Sequence, residues 1–152
     1  MSCTDFLVRW MVDEDLGKVM EIEQVSFPTP WTEYMFQCQL RLKDISINLV
    51  AVRNDIIDGY ATAWVAAEEI HLLSIAVRPE SRREGCAETL LGAVIEQGRD
   101  RGGSSVILEV RIGNIEAQRF YEKHGFRVVG RRQRYYRETG EDALVMELVL
   151  DR

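Results

Sequence analysis

The sequence predicts an α/β fold of the mixed α+β kind: a mixed, mostly antiparallel sheet of about seven strands with helices on both faces. Three observations carry this. Strand-length apolar runs and amphipathic helical runs follow one another in the order β-α-α-β-β-β-α-β-α-β-β. Three consecutive strand-length runs in the middle are separated only by short polar turns, the pattern of an antiparallel meander. The stretch from Leu72 to Leu91 is an apolar strand, a polar turn and a helix, and the rest of the chain is arranged around it. With 152 residues, 46% of them apolar and 29% charged, the chain is long enough to form one domain, 1–152, with its own core.

Phe6–Val12 reads as the first strand. Asp13 caps a helix in which Leu16, Val19, Met20 and Glu23 fall at helical steps, and Pro28 and Pro30 stop it near Phe27. Thr32 opens a second helix made unusually apolar by Tyr34, Met35, Phe36, Cys38, Leu40 and Leu42. Ile45–Arg53 and Ile57–Ala67 are strands joined by a turn at Asn54-Asp55, with a kink or bulge at Asp58-Gly59. Glu68–Val77 completes the meander, and the nearly continuous apolar run Leu72–Val77 is that of a strand buried on both faces. A helix runs from Gly85 to the Arg101 region, where Gly102-Gly103 ends it. Ser105–Arg111 is a strand, Glu116–His124 a helix closed by Gly125, and Phe126–Tyr136 and Ala143–Val149 form a final antiparallel pair.

Charge and composition exclude several classes. A formal net charge of −6 argues against general nucleic-acid binding and suits a basic or amino-bearing substrate. Cys3, Cys38 and Cys86 have no metal-like spacing and only His71 and His124 could join them, so no metal site is expected. Scattered cysteines fit a reducing compartment. No apolar run approaches the ~18 residues of a membrane span. The N-terminus has no basic region before its apolar residues. The expected setting is the cytoplasm, away from membranes.

Arg82-Arg83-Glu84-Gly85-Cys86-Ala87 links the Leu72–Val77 strand to its helix. The first N–H groups of a helix are unpaired, and small residues such as Gly85 and Ala87 let an anion approach them. Arg82 and Arg83 add positive charge, so the turn is built for an anion, most simply a pyrophosphate. No GK[ST] follows, so it is not a Walker loop, and G-x-G-x-x-G is absent.

Glu109 lies in an apolar strand, either paired with a cation such as Arg111 or kept for proton chemistry. Burial there would raise its pKa and suit it to accept a proton near neutral pH. Asn114 is a good N-cap for the next helix. Tyr121 is either core or a phenol able to protonate a leaving group. His124, next to Gly125, is placed to meet the last helix carbonyls. Cys86 has no base spaced to activate it and reads as packing.

The spacing Arg82-x-x-Gly85-x-Ala87 resembles the R/Q-x-x-G-x-G/A signature of the GCN5-related N-acetyltransferases (GNAT), and LEVRIGNIEAQRFYEKHGF, residues 108–126, resembles a block of their RimI/Ard1 branch. Two more segments are similar to that branch: Ser26 to Glu33, lengthened here by Thr29-Pro30, and Arg134 to Ala143. The resemblance covers essentially the whole chain. It implies the GNAT fold, acetyl-CoA as cosubstrate and a protein or peptide N-terminus as acceptor, a ribosomal protein such as S18 among the partners. It implies Glu109 as general base and Tyr121 as general acid. Ile75, Ala76 and Val77 would line the acyl-pantetheine arm, Arg82, Arg83, Glu84, Gly85, Cys86, Ala87 and Glu88 would hold the pyrophosphate, and Asn114 would meet the pantetheine. Phe27, Pro28, Tyr135 and Tyr136 would flank the peptide. Ser74 stands where bacterial members have Asn, and the loop insertion alters the peptide side; both departures bear on the substrate sequence and leave the cofactor reading intact. Two rivals stay open: a GNAT acting on a small-molecule amine, and a non-catalytic acyl-CoA-binding subunit. A monomer or a homodimer is expected.

Overall fold

A computed structural model describes residues 5–150; Cys3 lies outside them. The strands are β1 (Leu7–Trp10), β2 (Ser46–Arg53), β3 (Ile56–Ala66), β4 (Glu69–Val77), β5 (Ser105–Arg111), β6 (Arg127–Tyr136) and β7 (Glu141–Val149). The helices are α1 (Leu16–Ser26), α2 (Glu33–Arg41), α3 (Cys86–Asp100) and α4 (Ile115–Lys123). All seven strands form one sheet in the order β1-β2-β3-β4-β5-β7-β6. Only β4 and β5 are parallel; every other neighbouring pair is antiparallel.

Period-two alternation divides the strands between two cores. On one face Leu49, Ala61, Leu72, Val106 and Leu108 pack against Leu90, Leu91 and Val94 of α3. On the other, Val50, Tyr60 and Ala76 meet Val19 and Ile22 of α1 and Phe36 of α2. The Phe36 and Tyr60 rings pack edge to face, centroids 5.7 Å apart.

Several local expectations are corrected. Asp13–Asp15 form a 3-10 turn and α1 starts at Leu16, so Asp15 is the brace rather than Asp13. Its carboxylate accepts the Val12 N–H at 2.8 Å and two Arg9 bonds at 2.8 and 2.9 Å. Thr32 caps α2 as expected, accepting from the Met35 N–H. That helix buries only Phe36 and Gln39, however, and leaves Tyr34 and Met35 exposed, as is Leu42 just after it, because it covers a narrow strip of sheet. β4 is fully covered at Ile70, Leu72, Ala76 and Val77, but Leu73, Ser74 and Ile75 are only half-buried. The reason lies in what happens on its β5 side.

Candidate active site

β4 and β5 part company. Their parallel pairing covers only Glu69↔Ser105, Ile70↔Val106 and His71↔Ile107. Immediately beyond, the β3–β4 register slips between Thr62/Ala63, so that Thr62 faces Ser74 but Ala63 faces Leu72. Leu73 is therefore an extra residue in β4. An extra residue bends the strand that carries it, and β4 swings away from β5. The Arg78 N–H donates to the Asp58 carbonyl on the β3 side at 2.8 Å. Alternation along the strand then turns the Val77 and Ile75 N–H groups to the open side.

The gap widens into a cleft of about 470 Å³. Of the expected cofactor residues, Ile75, Ala76, Val77, Arg82, Arg83, Gly85, Cys86, Ala87, Glu88 and Asn114 line it, together with Phe27 and Tyr121. Glu84 does not: its carboxylate turns to Arg53 at 3.0 Å. Gly85 caps α3 with φ 88°, a conformation that glycine adopts without steric cost. Its carbonyl takes the Thr89 N–H and hydroxyl, which leaves the N–H groups of the first turn directed out of the helix at the cleft. Cys86 is buried among core side chains, and burial, followed by the nearby Asp58 charge, pushes its thiol up to about 12. Such a thiol is no nucleophile at neutral pH.

On the opposite face from α3, Glu109 is held by His71 rather than by Arg111. The His71 Nε2 to Glu109 Oε1 distance is 2.7 Å, and Arg132 Nε stands 3.8 Å from Oε2. The expected upward shift of Glu109 is therefore reversed. Its hydrogen bond to His71 outweighs burial and lowers the carboxyl pKa, while the same bond raises that of the imidazole. Tyr121 packs against Phe126 and Phe120, both ring centroids 5.3 Å away, and burial raises its phenol pKa, with a further contribution from Tyr136. The Tyr136 hydroxyl, raised by burial to about 12, also senses the charge of Glu109. It thus stands within electrostatic reach of both the carboxylate and the second phenol.

Residues 16–126 match the acetyltransferase (GNAT) family. The chain belongs to this family. It is 32% identical, over 95% of its own length and the whole of the relative's, to the ribosomal protein bS18-alanine N-acetyltransferase of Haemophilus ducreyi. The ribosomal-protein-S18-alanine N-acetyltransferase of Escherichia coli superposes with a TM-score of 0.86 at 30% identity, covering 97% of this chain and 95% of that one. The Ard1 structure from Thermoplasma volcanium gives a TM-score of 0.89 at 26% identity over 97% and 99% of the two chains. The fold expected from the sequence is the fold observed.

Several residues of this acetyltransferase site were invisible to sequence reasoning. Asp58, 1% exposed, accepts from Arg78 Nε and Ser81 Oγ at 2.6 Å each and pairs with Arg53, so one buried carboxylate braces the turn between β4 and α3. Glu23, 3% exposed, accepts the Tyr60 hydroxyl and the Trp31 N–H, which ties the loop before α2 to the sheet. Burial raises the Glu23 pKa more than these two bonds lower it. Arg111 stacks on Tyr136 at 3.8 Å and reaches Thr29, Thr139 and Glu141, locking the strand of Glu109 to the loops before α2 and before β7. Arg119 and Lys123, one helical turn apart on α4, also line the cleft. Pro28 and Tyr135 are exposed, Phe27 and Tyr136 half-buried. His124 does not meet helix carbonyls through its ring: the ring lies 4.7 Å from that of Phe120, and the buried Nε2 has no hydrogen-bond partner.

Proposed function

We propose that this acetyltransferase moves the acetyl group of acetyl-CoA onto the α-amine of a protein N-terminus, with an S18-like alanine N-terminus as its first acceptor. The observation that carries the reading is the parting of β4 from β5 beside the Gly85 turn. It opens a slot with unpaired N–H groups along one wall and a cationic helix start at one end. Those features fit a thioester arm attached to a diphosphate. Val77 and Ile75 supply N–H donors to the thioester carbonyl as negative charge develops on its oxygen. The first N–H groups of α3, with Arg82, Arg83 and the α4 cations Arg119 and Lys123, hold the diphosphate.

The acceptor enters from the face that carries His71 and Glu109, between the loop holding Phe27 and Pro28 and the pair Tyr135-Tyr136. An α-amine is largely protonated at neutral pH, with a pKa of ~7.7–8.0. The Glu109 carboxylate draws the ammonium to the slot and serves its deprotonation. Tyr121, whose phenol stays protonated at neutral pH, donates to the departing sulfur. The similarity of this chain to S18-alanine acetyltransferases along almost its full length supports a peptide over a small amine.

The test is incubation with acetyl-CoA against a peptide bearing the S18 N-terminus and against a panel of polyamines. Transfer to the peptide α-amine alone is expected. Transfer confined to polyamines, or CoA binding without any transfer, would refute the assignment.

A further inference from the structure

A second cavity, of about 320 Å³, lies at the far end of α3 from the Gly85 turn. α3 is 15 residues long, which sets its two ends about 22 Å apart. The cavity is lined by Trp10 and Met11 where β1 ends, Leu40 of α2, Lys43 in the turn after it, Asn48 of β2 and Arg101 just beyond α3. Its size falls at the lower end of the ~300–1,000 Å³ found for small-molecule sites.

The wall is sorted by chemistry. Lys43 and Arg101 are its charged groups and no carboxylate joins them, in a chain whose Asp and Glu outnumber its Lys and Arg by 25 to 19. Arg101 is held in place: Nη1 donates to the Ser46 carbonyl at 2.8 Å, and Cζ lies 5.8 Å from the Trp10 ring centroid. Lys43 is exposed and has no ion-pair partner among the described residues. Met11, 5% exposed, and Leu40 belong to the core on the α1 and α2 face and give the cavity an apolar side. Asn48, 6% exposed, supplies a buried polar group. Its Nδ2 donates to Ser46 Oγ at 2.9 Å and to the Gln39 carbonyl at 3.4 Å. The Gln39 carbonyl fixes the orientation of the amide, since turning it over would set oxygen against oxygen. Oδ1 is left buried without a donor, a costly state for an acceptor.

We propose that this cavity is a second ligand site, for a carboxylate that carries an amide N–H on its α-carbon and an apolar side chain. That is the chemistry of an N-acyl amino acid or of a polypeptide C-terminus. The carboxylate meets Lys43 and the remaining N–H groups of Arg101. The amide N–H donates to Asn48 Oδ1, and the side chain lies against Met11 and Leu40. A free α-ammonium would bring a third positive charge beside Lys43 and Arg101, so the nitrogen is that of an amide. The ligand occupies no part of the cleft between β4 and β5, and the two sites fill independently.

The experiment is an NMR titration of the isotope-labelled protein, read at the Trp10 indole and Asn48 side-chain amide signals. N-acetyl-leucine is compared with N-acetyl-leucinamide, which lacks the carboxylate, and with isocaproate, which lacks the N–H. N-acetyl-leucine should shift both signals saturably. The amide should bind about tenfold more weakly and isocaproate about fivefold more weakly. Lys43→Glu changes an exposed turn residue, and it should weaken N-acetyl-leucine by about tenfold or more while leaving acetyl transfer unchanged. The absence of a saturable shift, equal affinities for the three compounds, an unaltered affinity in Lys43→Glu, or displacement by CoA would each overturn the proposal. A glycine-rich peptide ending in leucine with a free carboxylate separates the two sources. Binding tighter than that of N-acetyl-leucine assigns the cavity to a chain end, and weaker binding assigns it to a free small molecule.

Discussion

Glu109 and Tyr121 sit in different environments, one a depressed carboxylate and the other a raised phenol, and the roles proposed for them rest on that difference. Tyr121 is kept protonated by burial, so it can only donate at neutral pH. Glu109, in contact with an imidazole, stays charged. Replacing Tyr121 by Phe, or Glu109 by Gln, should lower kcat by about 10²-fold or more while CoA affinity changes little. Steady-state kinetics beside calorimetric CoA binding would show it; equal losses in both quantities would mean a structural role instead. Asp15 offers a test away from the chemistry. Arg9 and the Val12 N–H hold its carboxyl below the usual range, with the Arg9 bond the larger cause. A depressed folded pKa means that its stabilisation is complete above the unfolded value of ~3.9 and is lost as pH falls through the folded value. Asp15→Asn should therefore cost about 1–2 kcal/mol at pH 7, a charge-assisted bond to a partly exposed arginine, and much less near pH 3. Urea unfolding at the two pH values measures the difference.

At the scale of elements, the site depends on β4 being bent and on what holds the bend in place. Gly59 on β3 opposes Val77, and a side chain there would meet the Ala76 carbonyl at 2.7 Å, Cys86 Sγ at 3.1 Å and Leu90 Cδ1 at 3.2 Å. The nearest of these is backbone of the strand that lines the slot, so it yields only if β4 moves. Gly59→Ala should destabilise the protein by about 1–3 kcal/mol and weaken CoA binding as well, unlike a substitution of equal cost elsewhere in the core. Thermal unfolding and CoA titration on the same variant separate the two effects. The Asp58-Gly59 step was readable as a bulge from its residue types, and the register slip between Ala51/Val52 is that bulge. What was not readable is that Asp58 faces inward as the anchor of the turn between β4 and α3, since Arg78 and Ser81 lie 20 and 23 residues further along the chain. The same distance problem hid His71 behind Glu109, 38 residues apart, and Glu23 behind Tyr60, 37 apart.

For the whole molecule, binding in the slot joins both halves of the sheet. β1 to β4 lie on one side and β5, β7 and β6 on the other, with only a three-residue ladder between them. A ligand that touches Val77 and the α3 turn as well as Asn114 and α4 bridges the two halves. CoA at 100 times its Kd should add about 2.7 kcal/mol to the free energy of unfolding. Hydrogen exchange should slow on both sides of the slot together. Protection confined to the α3 turn would show that the pantetheine arm does not occupy the gap.

The sequence by itself determined the order of the elements, the antiparallel meander, the turn and helix start at Gly85 and the strand and helix that carry Glu109 and Tyr121. These follow from local periodicity, turn residues and short motifs, each contained within about twenty residues. Only the tertiary structure decided that α2 would leave much of its apolar surface outside, that β4 would part from β5 at Leu73, and that Glu109 would answer to His71 rather than to Arg111. Those outcomes depend on which distant groups the sheet brings within a few ångströms. A carboxylate's pKa responds to such neighbours and carries no trace of them in the adjacent sequence.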